Sequence, residues 1–376
     1  MIQRAIASSV NERFFRGKAV LLFGPRQSGK TTLVKSILQT RQERSLVLNG
    51  DEPDVREMLS SATSTRLKTI VGSAKIIFID EAQRIQDIGL TLKLFVDQLP
   101  DIQVIASGSS SFELAGRVSE PLTGRKYEYM LFPLSFGEMV NHHGLVDEKR
   151  MIEHRLIFGS YPEIVVKQDE EKELLKLLAG SYLYKDLLTL DQMKKPVLLE
   201  KIVRALALQI GSEVSYHEIG QLVGADNETV EKYVSLLEQA FVVFRVPALS
   251  RNVRNEIKKG KKIYFYDTGV RNAVIANFSH LRSRTDVGPL WENYLMSERV
   301  KLLRNSGIDA QRYFWRTTQQ QEIDYIEDRE GKLTAFEFKW NEKSRTRFPK
   351  TFTDNYKVER TAAITPKVVE DFCIQV

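Results

Sequence analysis

Five apolar residues in succession, Ala19–Phe23, lead into a polar, glycine-punctuated turn and then into residues 32–38, where Leu33/Ile37 and Val34/Leu38 recur at i, i+4. The first pattern predicts a buried strand and the second a helix laid against a sheet. Two more apolar strands are predicted: residues 75–79, closing on the acids Asp80 and Glu81, and residues 103–111, closing on small hydroxyls. Together they predict an α/β fold with a parallel sheet. Past Leu145 the period turns helical over 148–158 and 170–191, with Leu174, Leu177, Leu178, Tyr182 and Leu188 at helical spacing, as in a small lid. A helix over 198–209, a break at 211–213, a capping box at Ser215 and Glu218, a glycine turn, a second helix from Asn227 and a strand over 241–246 predict a winged helix-turn-helix. An amphipathic helix from Pro289, an alternating strand over 322–326, a turn at 328–331 and a strand over 334–340 then predict a second α/β domain. The expected plan is a core over 1–145, a helical lid over 146–195, the winged helix over 196–262 and the last domain over 263–376.

Composition adjusts this picture in three places. A length of 376 residues with 42% hydrophobic and 28% charged content predicts a soluble chain of about two or three domains. No apolar run is long enough to span a bilayer and residues 1–6 lack a signal-type apolar core, so a cytoplasmic protein with no membrane partner is expected. The single cysteine, Cys373, excludes an internal disulfide and reads as a small hydrophobe. A net charge of +6 is modest, yet unevenly spread. Residues 245–262 hold seven Lys or Arg against Glu256, and residues 339–350 hold five against Glu342, which points to a phosphate backbone, hence DNA, as partner. The second helix of the helix-turn-helix carries Glu228 and Glu231, which repel phosphate, so a packing or oligomerisation role is an equal reading for it and residues 251–262 are the better nucleic-acid candidates. His142 and His143 have no further ligand nearby and read as loop histidines.

The turn itself, Gly24, Pro25, Arg26, Gln27, Ser28, Gly29, Lys30 and Thr31, fits the pattern GxxxxGK[ST] between a strand and a helix. Such a turn aims backbone N–H groups and a helix N-terminus at phosphate, with Lys30 on the terminal phosphates, Thr31 on Mg2+ and Thr32 in the first helical turn. ATP and Mg2+ are the expected cofactors. Asp80 is expected to hold the metal's hydration shell and Glu81 to polarise the attacking water. Ser107 or Ser109 is expected to sense the γ-phosphate, with Ser109 preferred, and Arg125 or Arg117 to act as an arginine finger.

The segments GPRQSGKTTL, IIFIDEAQRI, VIASGSSSFEL, LTGRKYEYMLFPLSFGEM and GSYPEIV, in that order, resemble the bacterial and archaeal AAA-type ATPases often paired with a DUF4143 C-terminal region. The resemblance implies a P-loop core of the ASCE type with Lys30, Thr31, Asp80 and Glu81 in the roles above. Its Leu-x-Gly-Arg segment falls at Leu122–Arg125, which favours Arg125 over Arg117. A homo-oligomer is expected.

In the last domain, Asp324 is followed thirteen residues on by Glu337 and then Lys339, on one face of a strand. Asp, a spacer and Glu-x-Lys is the pattern of the PD-(D/E)XK nucleases, to which DUF4143 regions are similar. There two carboxylates bind Mg2+ and a lysine serves the attacking water. Glu292 is the candidate helix carboxylate. Catalysis at Asp324, Glu337 and Lys339, or a binding module without cleavage, are both open on the sequence.

Overall fold

The computed structural model describes residues 2–109, 122–182, 196–250, 260–344 and 346–375. The chain divides into two compact units. One is Met1–Pro133 with Lys185–Met193 and Gln239–Phe241; the other is Leu134–Tyr184, Lys194–Glu238 and Val242–Val376.

The first unit is built on a five-stranded parallel sheet of β1 (Ala19–Phe23), β2 (Ser45–Asn49), β3 (Ile76–Asp80), β4 (Gln103–Gly108) and β5 (Lys126–Met130), in the spatial order β2-β3-β4-β1-β5. Strands β1, β3 and β4 are buried along their length apart from Asp80 at the end of β3, because both faces of the sheet are covered. On one face Val20, Leu22, Ile76, Phe78 and Ile105 pack with Ile6 and Val10 of the N-terminal segment and with Leu33, Val34 and Ile37. The contributing helices there are α1 (Ala7–Glu12) and α2 (Lys30–Gln39). Helices α3 (Pro53–Leu59), α4 (Ser64–Val71) and α5 (Ile88–Gln98) complete the unit, α5 packing on β4 and β1. Strand β5 escapes the apolar-run criterion: KYEYM is half-buried at a sheet edge, and its pairing with β1 supplies what its side chains do not.

The second unit begins with short helices: α6 (Phe136–His143), α7 (Leu145–Arg150), α8 (Ile152–Phe158), α9 (Pro162–Val166) and α10 (Glu171–Leu177), followed by a π-turn over Leu178–Tyr182. The rest of the expected 170–191 helix lies outside the described residues. Helix α11 (Pro196–Leu208), strand β6 (Glu213–Val214), helices α12 (Tyr216–Val223) and α13 (Asn227–Gln239), and strands β7 (Val243–Pro247) and β8 (Lys261–Phe265) follow in that order, with an antiparallel sheet ordered β6-β8-β7. At the start of α12 the Ser215 side chain accepts the Glu218 N–H at 3.4 Å, half of the expected capping box. The complete box starts α6, where Ser135 accepts from the Glu218-equivalent N3 residue Glu138 and the Glu138 carboxylate accepts the Ser135 N–H at 2.9 Å.

Helix α14 (Thr268–Val274) leads to α15 (Val287–Asn305), whose side chains are buried on almost every side. Asn293 of α15 accepts the Phe265 N–H at 2.8 Å and donates to the Phe265 carbonyl at 2.9 Å, so one amide satisfies both polar groups of that β8 residue. Strands β9 (Gln311–Arg316), β10 (Glu322–Arg329) and β11 (Lys332–Phe338) form an antiparallel meander, and after α16 (Lys350–Thr353) strand β12 (Val358–Ile364) returns parallel to β11. Helix α17 (Glu370–Cys373) closes the chain and buries Cys373, as expected for a small hydrophobe.

Candidate nucleotide site and carboxylate–lysine cluster

The turn after β1 reaches α2 through two left-handed backbone positions, Gln27 at φ 59° and Gly29 at φ 94°. Gly24 sits at φ 148°, and a Cβ there would stand 2.1 Å from the Leu131 carbonyl oxygen, so only glycine fits against the end of β5. Because α2 starts at Lys30, the N–H groups of its first turn have no helical carbonyl behind them. Lys30 is buried, and its Nζ donates to the carbonyls of Gly24 and Pro25, both at 2.9 Å. Ser28 is also fully buried, and its Oγ has no hydrogen-bond partner. Gln27 and Thr32 are exposed, Arg26 half-buried.

Arg4 holds this turn from outside the motif. Its guanidinium donates to the Ser28 carbonyl and to the Phe132 carbonyl, each at 2.6 Å, pinning the turn to the segment after β5. No sequence signal distinguishes Arg4 from other arginines, since its partners are backbone oxygens distant in the chain.

Thr31 Oγ1 donates to Asp80 Oδ2 at 2.6 Å, and the Ser107 hydroxyl donates to Asp80 Oδ1. One carboxylate thus links α2, β3 and β4. The strand order explains how: β4 lies between β1 and β3, so the acids do not come from the strand beside the turn but from one strand further out, across Ser107. A hydroxyl and a carboxylate side by side are hard oxygen donors and fit Mg2+. Of the two hydroxyls at the end of β4, Ser107 meets Asp80, whereas Ser109 accepts from Gln83 Nε2 at 3.2 Å.

Glu81 occupies a left-handed conformation, φ 48° and ψ 40°, uncommon for a residue with a side chain. Gly50 packs against it; a Cβ at Gly50 would meet the Glu81 carbonyl oxygen at 2.4 Å. The Glu81 carboxylate accepts from Gln83 Nε2 at 2.5 Å. Arg125 lies apart from these residues in its contacts: its Nε pairs with Asp97 at 2.7 Å on an exposed surface. Arg117 lies outside the described residues.

In the second unit Asp324 of β10 and Glu337 of β11 stand next to the register pair Tyr325 and Phe336, beside a β-bulge between Ile323 and Ile326. Asp324 Oδ2 accepts the Phe338 N–H at 2.7 Å, and Lys339 Nζ donates to Glu337 Oε2 at 2.7 Å while lying 3.9 Å from Asp324. Burial, reinforced by the Asp324 charge, pushes the Glu337 carboxyl up to about 7, and burial also raises Asp324. Glu292 of α15 is raised to about 7, again by burial first, against the lowering influence of Lys262.

Lys262 was not legible as part of this cluster. It belongs to the basic run expected on the surface, but the structure buries it completely, with Nζ 2.8 Å from Glu292 and 2.5 Å from Glu322, while the Tyr264 hydroxyl donates to Glu292 at 2.6 Å. Lys261 stacks over the Tyr216 ring at 3.6 Å and Arg245 pairs with Glu238. These three cations are therefore engaged inside the unit rather than offered to a partner, and residues 251–259 of the run lie outside the described residues. Among the described residues no three His, Cys, Asp or Glu side chains close around a common point as a metal site would. Glu292 and Glu337 each feel the Asp324 charge, but Glu292 is turned to Lys262 and Glu337 to Lys339. His142 and His143 lie in the last turn of α6 and not in the expected loop, and His143 bonds Glu148 at 2.8 Å.

The parallel sheet and its turn define the P-loop ATPase class. Residues 16–140 match the family described as AAA domain, residues 149–281 a domain of unknown function, DUF8612, and residues 287–370 a domain of unknown function, DUF4143. The chain thus carries a match to an AAA domain in its N-terminal part and a match to DUF4143 in its C-terminal part. Uncharacterized proteins of Mycobacterium bovis and Mycobacterium tuberculosis are each 26% identical over 345 residues, covering 90% of this chain and 74% of theirs. Among solved structures, the Pif1 helicase from Candida albicans is 14% identical with a TM-score of 0.28, covering 42% of this chain and 48% of that one. A STAND-class signal transduction ATPase with a tetratricopeptide repeat sensor from Pyrococcus horikoshii is 13% identical with a TM-score of 0.29, covering 81% of this chain and 47% of that one. The chain spans about half the length of those two structures. Among the described residues no helix is long and apolar enough to cross a membrane.

Proposed function

We propose that this protein is a Mg2+-dependent ATP hydrolase whose cycle drives a DNA-binding C-terminal half. The observation that carries the first part is the single link Thr31–Asp80–Ser107 beside Lys30, since it gathers a metal-binding hydroxyl and carboxylate at the N-terminus of α2. In this reading the backbone of residues 24–31 cradles the phosphates, with Arg26, Gln27 and Thr32 at its rim. Lys30 would turn from the Gly24 and Pro25 carbonyls to the terminal phosphates, and Thr31 and Asp80 would hold Mg2+, which when bound would neutralise charge on the phosphates. Glu81 accepts the proton of the attacking water, Ser109 lies within reach of it through Gln83, and Arg125 serves as the finger in an oligomer.

For the C-terminal half, the order α11, β6, α12, α13, β7, β8 supports a winged helix, and the order α15, three-stranded meander, α16, parallel β12 supports a nuclease-like domain with Asp324, Glu337 and Lys339 as its motif. Two carboxylates beside a lysine suit a hard divalent ion, with Glu292 as a further ligand once released by Lys262. A second reading, an ATP-driven switch that binds a protein partner and cleaves nothing, is favoured by the pairing of Lys339 with Glu337 and of Lys262 with Glu292.

The test of the ATPase reading is phosphate release and nucleotide binding by wild type and Lys30→Ala. Wild type is expected to release phosphate only with Mg2+, and the variant to lose affinity for the nucleotide. Unchanged ATP affinity in Lys30→Ala removes the nucleotide from this turn.

A further inference from the structure

We infer that Gln83 is a positioning residue for ATP hydrolysis: its side-chain amide holds the Glu81 carboxylate and ties it to the end of β4 through Ser109. The inference rests on Glu81 being the base proposed above.

The geometry fixes the orientation of the amide. A carboxylate only accepts hydrogen bonds, so the amide nitrogen must face Glu81 Oε2, at 2.5 Å, and the same NH2 group reaches Ser109 Oγ at 3.2 Å. Both amide protons are thereby engaged. The other end of the amide, Oε1, is then left as a buried acceptor with no partner. A glutamine kept only for packing satisfies both ends of its amide when buried. This one commits its donors to the base and to the end of β4 and leaves its acceptor unpaired.

The backbone points the same way. Glu81 is locked in the left-handed region with Gly50 against its carbonyl, so its main chain has little freedom. The one-turn helix Ala82–Arg84 then folds residue 83 back toward residue 81, and the side chain of Glu81 is oriented by Gln83 alone among its described hydrogen bonds. In the chemical step the water oxygen bonds to the γ-phosphorus as the bond from that phosphorus to the β–γ bridging oxygen breaks, and ADP leaves. Glu81 takes one water proton; Gln83 neither gains nor loses one.

The experiment compares steady-state ATP hydrolysis and affinity for a non-hydrolysable ATP analogue in wild type, Gln83→Ala, Gln83→Glu, Glu81→Gln and the double variant Glu81→Gln/Gln83→Ala, with melting temperatures as a check on folding. Gln83→Ala is expected to lower kcat by about 10- to 100-fold with analogue affinity within about threefold of wild type. Gln83→Glu is nearly isosteric but cannot donate to the base and sets a like charge beside it, so its kcat is expected to fall at least as far as that of Gln83→Ala. In the Glu81→Gln background, removing Gln83 is expected to cost nothing further. An additive loss in the double variant, or an analogue affinity that falls as far as kcat, overturns the role of Gln83 and leaves Glu81 as base. Wild-type turnover in Glu81→Gln overturns both.

Discussion

Asp80 shows how much a single side chain carries in this fold. Its two oxygens take hydrogen bonds from Thr31 and Ser107, so helix α2 and strands β3 and β4 are tied at one point. The pairing was legible in part: GxxxxGK[ST] and an apolar strand closing on two acids are spaced as phosphate chemistry demands. The choice between Ser107 and Ser109 was not, because both are small hydroxyls two residues apart on the same face. Arg4 was invisible for a different reason, since its partners are the backbone oxygens of Ser28 and Phe132, which carry no residue identity. Arg4→Ala is expected to cost about 1–3 kcal/mol of stability, read as a fall in melting temperature, because two carbonyls lose a charged donor. ATP affinity should fall with it, as the turn loses its outer support.

The Glu337 carboxyl gives a residue-scale pH test. Its folded value of about 7 lies above the ordinary 4.5, so between those two values the folded chain keeps a proton that the unfolded chain has lost. Stability from this group is therefore full below the unfolded value and is lost as pH rises to about 7. Glu337→Gln cannot ionise and escapes that loss. In a chelator, its melting temperature relative to wild type is expected to rise between about pH 5 and pH 8 and to level off above that range. A constant difference across the range contradicts the buried placement of Glu337.

At the scale of elements, strands read as apolar runs were found where they were expected, because a parallel sheet covered on both faces demands them. Strand β5 was not expected, since KYEYM alternates at a half-exposed edge and its place is decided by backbone pairing with β1. Its consequence is Gly24, pressed against Leu131 just beyond β5. Gly24→Ala sets a methyl 2.1 Å from a backbone oxygen at a positive φ, so something must move. The variant is expected to lose several degrees in melting temperature, by about 2–4 °C per kcal/mol for a unit of this size, and to bind ATP more weakly. In the second unit the basic run over 245–262 was legible only as a count: charge counts ignore direction, and β8 turns Lys262 inward, between Glu292 and Glu322. A buried cation between two acids is stabilised only while both remain, so Lys262→Met leaves Glu292 and Glu322 facing one another. That variant is expected to be destabilised by about 3–5 kcal/mol.

For the whole molecule, the sequence order of an AAA domain, DUF8612 and DUF4143 runs nearly end to end, with a net charge of +6 spread unevenly along it. What the second unit does with the ATP cycle is decided by DNA chemistry. Supercoiled plasmid with Mg2+ or Mn2+, with and without ATP, is expected to be nicked by wild type and left intact by Asp324→Ala and Lys339→Ala, while both variants keep their ATP turnover. Absence of nicking under every condition selects the protein-binding switch instead. Neither outcome touches the nucleotide site, whose motif was the most legible part of the chain because backbone geometry, helix terminus and metal ligands all constrain the same eight positions.

The most direct measurement is therefore made on Glu81→Gln: retention of radiolabelled ATP on the protein in Mg2+, alongside the rate of phosphate release. Tight ATP retention with phosphate release reduced at least about 100-fold is the expected result, since the nucleotide's cradle is intact and only the base is lost. Release at the wild-type rate, or failure of wild type to retain ATP at all, contradicts a triphosphate bound around Lys30 and hydrolysed by Glu81.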